Sequence, residues 1–198
     1  MEHLSAPETA GMSLTDEQLA EHATNGDQEA FGVLVERYSS KLKRYGKKFL
    51  RDPEDIEDLI QDVFIRAYQN LKSFDTKLRF SPWIYRIAHN AFVNELRKKS
   101  RAPFFSIDFD TLVSHPVAQE DSQRDAEQSF AKELADAGLG ELAPKYREVL
   151  LLYYEEGLSY KEIADVLLVP VGTVSVRLKR AKEALAAVYA RMNITYEF

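Results

Sequence analysis

The sequence predicts an all-α protein in which two small helical domains are joined by an acidic linker, the C-terminal domain being a helix-turn-helix. Apolar residues recur at offsets of three and four in both halves of the chain, and no segment alternates like a half-buried strand. Pro103 and Pro116 interrupt an acidic stretch between the halves. We therefore expect a flexible segment at 1–12, a first domain at 13–101, the linker at 102–137 and the helix-turn-helix domain at 138–198.

In the first domain, Asp52 and Pro53 predict a helix start, because aspartate caps free backbone N–H groups and proline suits the first helical position. A buried stripe is predicted to follow on one side of this helix, and an acidic polar face on the other. A polar face of this kind is commonly only solvated, and a partner-binding role is the alternative. The stripe comprises Ile56, Leu59, Ile60, Val63, Phe64, Ala67, Tyr68 and Leu71.

The segment 82–101 predicts a second helix with an unusual outer face. Its packing side holds Ile84, Ile87, Ala88, Ala91 and Phe92, and its outer side carries Trp83, Arg86, Asn90 and Arg97. An outward aromatic ring beside amide and guanidinium groups suits bases pulled from the stack, although a single Trp at a helix start is more often a core residue. The preceding segment, Phe74–Phe80, reads as a loop that could enclose an extruded base.

Charge separates the linker from both domains. From Phe104 to Asp136 the chain has eight acids against Arg124 and Lys132, so this segment accounts for the whole formal net charge of −6. The remainder is balanced and its cations are clustered. A negative protein can therefore still present a basic surface to nucleic acid.

The C-terminal domain carries the helix-turn-helix signal. Ser159 and Glu162 form a capping box, and Pro170 and Gly172 interrupt the helix that follows. On the next helix Val174, Leu178, Ala181 and Leu185 form the packing stripe, and cations surround Val176 on the opposite side. A recognition helix needs cations for phosphates and guanine edges and a small apolar group for a thymine methyl. The alternative is an ordinary amphipathic surface helix.

Composition narrows the remaining function classes. Apolar runs are too short to span a membrane, and the first dozen residues lack the features of a signal peptide, so we expect a cytoplasmic protein with no membrane insertion. The absence of cysteine excludes disulfides and thiolate metal sites. We expect no enzyme, metal or cofactor, because there is no nucleophile motif or phosphate-binding glycine loop and the four histidines lack metal-ligand spacing.

Three motifs resemble the extracytoplasmic-function (ECF) class of bacterial RNA polymerase sigma factors. They are DPEDIEDLIQDVFIRA at 52–67, WIYRIAHN at 83–90, and PVGTV with the following cations at 170–182. The resemblance covers about residues 28–101 and 139–188. It implies that the first domain binds the clamp of core polymerase and opens the minus-10 element, that the second binds the minus-35 element, and that the linker runs toward the polymerase active centre. It also implies an anti-sigma factor as a further partner.

The resemblance also assigns residues by position. Clamp binding falls on Asp58, Gln61, Asp62 and Arg66. Binding of minus-10 DNA falls on Phe74, Asp75, Lys77, Phe80, Trp83, Arg86, Asn90, Arg97, Lys98 and Lys99. Binding of minus-35 DNA falls on Ser175, Val176, Arg177, Lys179, Arg180 and Lys182, with Arg177 directed toward phosphate.

This sequence departs from the family pattern at three places. Asn94 replaces a common aspartate. Leu168 replaces a turn glycine, so we expect a different turn conformation, because a residue other than glycine is strained at positive φ. Ser175 and Val176 replace a basic residue followed by serine, so the resemblance does not assign a typical minus-35 sequence to this chain. A stand-alone repressor remains an alternative function, but it needs a dimer interface and leaves the Trp83 face unexplained.

Overall fold

The computed structural model describes residues 14–100 and 138–192, and every regular element in those ranges is helical, as the sequence predicts. The predicted N-terminal segment 1–12 and linker 102–137 lie outside the described residues. The first range contains α1 (Asp16–Thr24), α2 (Gln28–Gly46), α3 (Pro53–Asn70), a 3₁₀ turn at Leu71–Ser73 and α4 (Phe80–Ser100). The second contains α5 (Pro144–Leu150), a π-helical turn at Leu151–Glu155, α6 (Tyr160–Leu167) and α7 (Val171–Arg191).

Contacts divide the described chain within α4. Residues 14–46 and 50–92 form one compact unit, and the other includes residues 47–49, 93–100 and 138–192. The boundaries 13–101 and 138–198 therefore stay predictions. None of the described helices is long and apolar enough to cross a membrane.

The core of the first unit is aromatic and closely packed. Tyr38, Phe80, Tyr85 and Phe92 are each at most 2% exposed. Gly46 lies where α2 comes nearest to this core, because a Cβ atom built there would stand 2.6 Å from Cζ of Phe92. Since real Cβ contacts are essentially never that short, a small residue at this position lets the helices approach.

Helix α3 begins where the sequence predicts. The carboxylate of Asp52 accepts the backbone N–H of Glu54 at 3.0 Å, and Pro53 is the first helical residue. Most of the predicted stripe is buried, but the prediction for Tyr68 is wrong, since it is 44% exposed. At about 100° per residue Tyr68 lies some 90° from the centre of the stripe. Leu59, equally far off on the other side, is only half-buried.

The second unit is built around a buried cation and the predicted capping box. Arg147 is 2% exposed and donates to the carbonyl oxygens of Leu139 and Gly140 at 2.7 and 2.6 Å. The Ser159 hydroxyl accepts the N–H of Glu162, whose carboxylate accepts the N–H of Ser159. The capping box is therefore confirmed, and α6 starts at the residue after Ser159.

Candidate nucleic-acid and partner interfaces

The residues predicted to bind the polymerase clamp share one solvent-facing side of α3. Asp58, Gln61, Asp62 and Arg66 are all exposed. The same side presents Ile65, which is 54% exposed and lies between the polar residues. An exposed isoleucine among carboxylate and amide groups can bury apolar area while the polar groups set orientation, as protein interfaces do.

This surface continues into a groove between α2 and α3 that the sequence did not predict. The rings of Phe31 and Tyr68 meet edge to face with centroids 4.9 Å apart. The groove is lined by Gln28, Phe31, Phe64, Ile65, Tyr68 and Gln69. The signal for it was the angular position of Tyr68, which lies between the buried stripe and the polar face.

The segment predicted as an enclosing loop is only partly a loop. Phe74 is 8% exposed and Phe80 is 1% exposed, so both rings are core residues, and α4 already begins at Phe80. The expectation that they line an open base pocket needs correction, because Phe80 packs edge to face against Tyr38 at 5.4 Å. The exposed part is the tight turn Asp75–Arg79.

That turn is held by Asp75. Its carboxylate accepts the N–H of Lys77 at 3.0 Å, and its carbonyl accepts the N–H of Leu78 at 2.9 Å. Asp75 and Lys77 are both exposed, and Leu78 is 63% exposed at the tip. The turn thus presents polar, charged and apolar groups to solvent above the two buried phenylalanines.

Trp83 is partly a core residue and partly an exposed one, so it agrees in part with both predictions made for it. It is half-buried, and its ring lies 5.2 Å from that of Phe74 and 5.5 Å from that of Phe80, centroid to centroid. Its inner part packs with the core, and its outer part stays accessible. Further along α4, Arg86 is exposed and Asn90 is half-buried.

The basic residues near the end of α4 are exposed. Arg97, Lys98 and Lys99 are exposed, and Lys98 pairs with Glu95 three residues earlier at 3.2 Å. An exposed pair of this kind contributes little and is easily exchanged. These cations can therefore meet phosphates.

The recognition helix is oriented as predicted. The four residues of the predicted packing stripe are all buried: Val174, Leu178, Ala181 and Leu185. Ser175, Val176, Lys179 and Arg180 face solvent, and Arg177 is half-buried. Val176 is 51% exposed, which leaves its methyl groups free to contact a base.

Lys182 is an exposed cation of α7 that lies near two tyrosine rings. Its Nζ atom lies 5.4 Å from the Tyr154 ring and 5.8 Å from the Tyr153 ring. A hydrogen bond with Tyr154 raises the pKa of Lys182 above its ordinary value, and slight desolvation opposes this. The tyrosines come from the π-helical turn, where helical periodicity is interrupted and sequence reasoning did not place them.

The turn before the recognition helix keeps a left-handed residue despite lacking glycine. Leu168 has φ 55° and ψ 43°, and it is 61% exposed. The expectation that it forces the turn out of a positive-φ conformation is therefore wrong. The adjacent amide of Val169 donates to the carbonyl of Ala164 at 3.1 Å, and this bond closes the end of α6.

Comparison with known proteins agrees with this arrangement. Residues 34–102 match the family model for sigma-70 region 2, and residues 132–185 match the model for sigma-70 region 4. The ECF RNA polymerase sigma factor SigW of Bacillus subtilis is 38% identical over 170 residues, which cover 81% of this chain and 89% of the relative. The chain belongs to the ECF class of the sigma-70 family.

Other relatives of this sigma factor agree. The sigma-E factor of Escherichia coli K12 is 34% identical over 87% of this chain and 93% of its own. The structure of CnrH with the cytosolic domain of CnrY matches with a TM-score of 0.61 at 30% identity, covering 89% of this chain and 97% of that one. The sigma factor recognises promoters and initiates transcription with core RNA polymerase.

Proposed function

We propose that the sigma factor binds the polymerase clamp through the exposed side of α3, including the groove beside it. The observation that carries the proposal is that Asp58, Gln61, Asp62 and Arg66 are exposed together with Ile65. Tyr68 extends the same surface toward Phe31. A polar rim beside exposed apolar groups is typical of a protein–protein interface.

The minus-10 element is bound by the turn Asp75–Arg79 and the outer face of α4. Trp83 offers an accessible ring edge for an unpaired base, and Arg86 and Asn90 offer donors. Stacking of a base on an aromatic side chain contributes about 1–3 kcal/mol, which can offset the few kcal/mol needed to unpair it. Phe74 and Phe80 support Trp83 from below and do not touch DNA.

The minus-35 element is read by α7. Ser175, Val176, Lys179 and Arg180 are directed to bases, and Arg177 and Lys182 to phosphates. Val176 in place of a polar side chain favours a thymine methyl at its position.

The sigma factor acts in the cytoplasm without catalytic chemistry of its own, and an anti-sigma factor holds it inactive. The family membership supports this partner, and the solved structure of CnrH contains the cytosolic domain of another protein, CnrY. The two domains, 13–101 and 138–198, bind separate promoter elements.

Binding of a double variant, Gln61→Lys with Asp62→Lys, to reconstituted core polymerase tests the clamp assignment. Glu36→Lys with Ser40→Lys, two exposed positions on α2, is the matched control because it changes the charge equally. We expect the α3 variant alone to lose core binding. Both should keep their melting temperature, since exposed substitutions change stability by about 0.5 kcal/mol or less. Unchanged core affinity of the α3 variant contradicts the assignment.

A second measurement tests whether promoter binding depends on core polymerase. Duplex promoter is titrated with the protein alone and with the protein bound to core polymerase. We expect specific binding only in the presence of core. Equally tight specific binding by the protein alone would contradict this dependence.

A further inference from the structure

A carboxylate of α1 caps the start of α4, although the two residues lie 63 positions apart in the sequence. Glu17 is half-buried, and its Oε1 atom accepts the backbone N–H of Phe80 at 2.9 Å. The first N–H groups of a helix lack intrahelical partners, and a negative charge there is favourable. Glu17 therefore accepts a hydrogen bond at the start of α4, as an N-cap side chain does, but from a distant part of the same chain.

The residue before Glu17 anchors α1 to α2. Asp16 accepts hydrogen bonds from Arg37 at 2.7 Å and from the Tyr38 hydroxyl at 2.6 Å. Arg37 also donates to the carbonyl of Leu14 at 2.9 Å. With the capping box of Thr15 at its start, α1 is held firmly in place.

These contacts lead to the proposed site of DNA opening. Tyr38, which Asp16 holds, packs on Phe80 at 5.4 Å, and Phe80 packs on Trp83 at 5.5 Å. Trp83 is in the first turn of α4, so an uncapped helix start would loosen the turn that carries it. Helix α1 also contacts the 3₁₀ turn at Leu71–Ser73, just before Phe74.

We propose that Glu17 is a positioning residue for promoter opening: it caps α4 and thereby holds Trp83 in the orientation that receives an unpaired base. The inference rests on the proposed role of Trp83. It assigns α1 to minus-10 opening and to neither core binding nor upstream recognition. Glu17 itself does not touch DNA.

Open-complex formation by the full chain with core polymerase tests this on two templates, a fully paired promoter and one premelted around the minus-10 element. We expect Glu17→Ala to reduce opening of the paired promoter about fivefold, the effect of losing a helix cap, and to leave the premelted promoter nearly unchanged. Glu17→Gln keeps an acceptor oxygen and should show an intermediate loss. Glu21→Ala, at an exposed carboxylate on the same helix, is the matched control.

Core affinity and melting temperature of each variant identify a general folding defect, and Glu17→Gln serves as the test if Glu17→Ala does not fold. Equal losses on both templates, or a Glu17→Ala variant that behaves like Glu21→Ala, would overturn the inference.

The combination of Glu17→Ala with Trp83→Ala tests the route. If Glu17 acts through Trp83, the double variant is no worse on paired DNA than Trp83→Ala alone. If the fold-losses of the two single variants multiply in the double variant, Glu17 does not act through Trp83. A Trp83→Ala variant with no preference for premelted DNA contradicts the proposed site itself, whereas a normal Glu17→Ala variant beside a defective Trp83→Ala variant contradicts only this inference.

Discussion

Lys182 of the recognition helix α7 and Tyr154 of the π-helical turn form a cation–aromatic pair, with Nζ 5.4 Å from the ring centroid. Lys182 lies seven residues after Ser175 and is almost in line with it, because seven residues are nearly two helical turns. Base contacts come from the N-terminal part of a recognition helix. We therefore expect Lys182 to contact phosphate and no base.

Lys182→Met should weaken minus-35 binding for all sequences alike and reduce the slope of log affinity against log salt by about 1. Because the pKa of Lys182 is raised, its charge is complete below the ordinary lysine pKa and is lost only as pH rises through the higher value. The salt slope of the unmodified protein should therefore be the same at pH values slightly below and slightly above 7. Titration of holoenzyme with an upstream duplex over a range of salt and pH measures both effects. If the Lys182→Met variant has the same salt slope as the unmodified protein, the phosphate contact is contradicted.

Arg180→Ala and Arg177→Ala should have different effects on DNA binding, one on base selectivity and the other on affinity for all sequences. Arg180 is exposed on the reading side, so its loss should cost about 1–3 kcal/mol and relax selectivity at one base pair. Arg177 is half-buried, and its proposed contact is with phosphate, so its loss should weaken binding to every sequence. Val176→Ser should change the preference at a thymine. Selection from a randomised upstream element measures all three variants, and equal losses at every position would show that α7 does not read bases.

Local signals predicted the helices well because they act within a few residues. The cap at Asp52 and the capping box at Ser159 are confirmed, since each needs only neighbouring backbone groups. Long-range packing was not predictable in this way. Phe80 is buried by Tyr38 and capped by Glu17, and nothing in the local pattern around residue 80 indicates either contact.

The structure does not test the predicted contacts with DNA and polymerase, but it shows which of the predicted side chains are exposed. Periodicity correctly separated the packing side of α7 from its exposed side. It misplaced Tyr68, because a residue at the edge of a buried stripe is covered or exposed according to its neighbour, here Phe31. It also passed over Tyr153 and Tyr154, since the π-helical turn shifts the phase of the helix.

Leu168→Gly should stabilise the C-terminal domain by about 0.5–1 kcal/mol. Leu168 has φ 55°, which strains any residue with a Cβ atom, and its exposed side chain contributes little packing. Leu168→Ala is the control, because alanine keeps the strain. Urea unfolding with equal m-values measures the difference, and a glycine variant no more stable than the alanine variant contradicts the explanation.

Arg147→Met should destabilise the same domain by about 2–4 kcal/mol. The guanidinium donates to the carbonyls of Leu139, Gly140 and Leu142, and its loss removes three hydrogen bonds from part-buried or buried carbonyl groups. Burial lowers the pKa of Arg147, yet the group stays charged at neutral pH. The control is Arg191→Met, which removes an exposed pair with Glu141 and should cost less than about 1 kcal/mol. Similar melting temperatures for the two variants would contradict the role of Arg147.

Asn90→Ala should impair opening of a fully paired promoter and spare a premelted one. Asn90 is half-buried on α4, so its amide keeps an accessible edge for an unpaired base. Loss of such a hydrogen bond costs about 1 kcal/mol, which corresponds to roughly a fivefold loss of open complex. Premelting removes the unpairing cost and leaves the phosphate contacts of α4 and the minus-35 contacts of α7 in place, so the defect should disappear there.

Permanganate footprinting of the non-template strand measures the bubble directly. Asn94→Ala, an exposed position one turn further along α4, is the matched control. Both variants should bind core polymerase and melt at the temperature of the unmodified protein. If the Asn90 variant forms a normal bubble on paired DNA, that residue has no part in opening, and the site contracts to Trp83, Arg86 and the turn Asp75–Arg79. A defect that persists on the premelted promoter would instead show that Asn90 contributes to duplex or core binding.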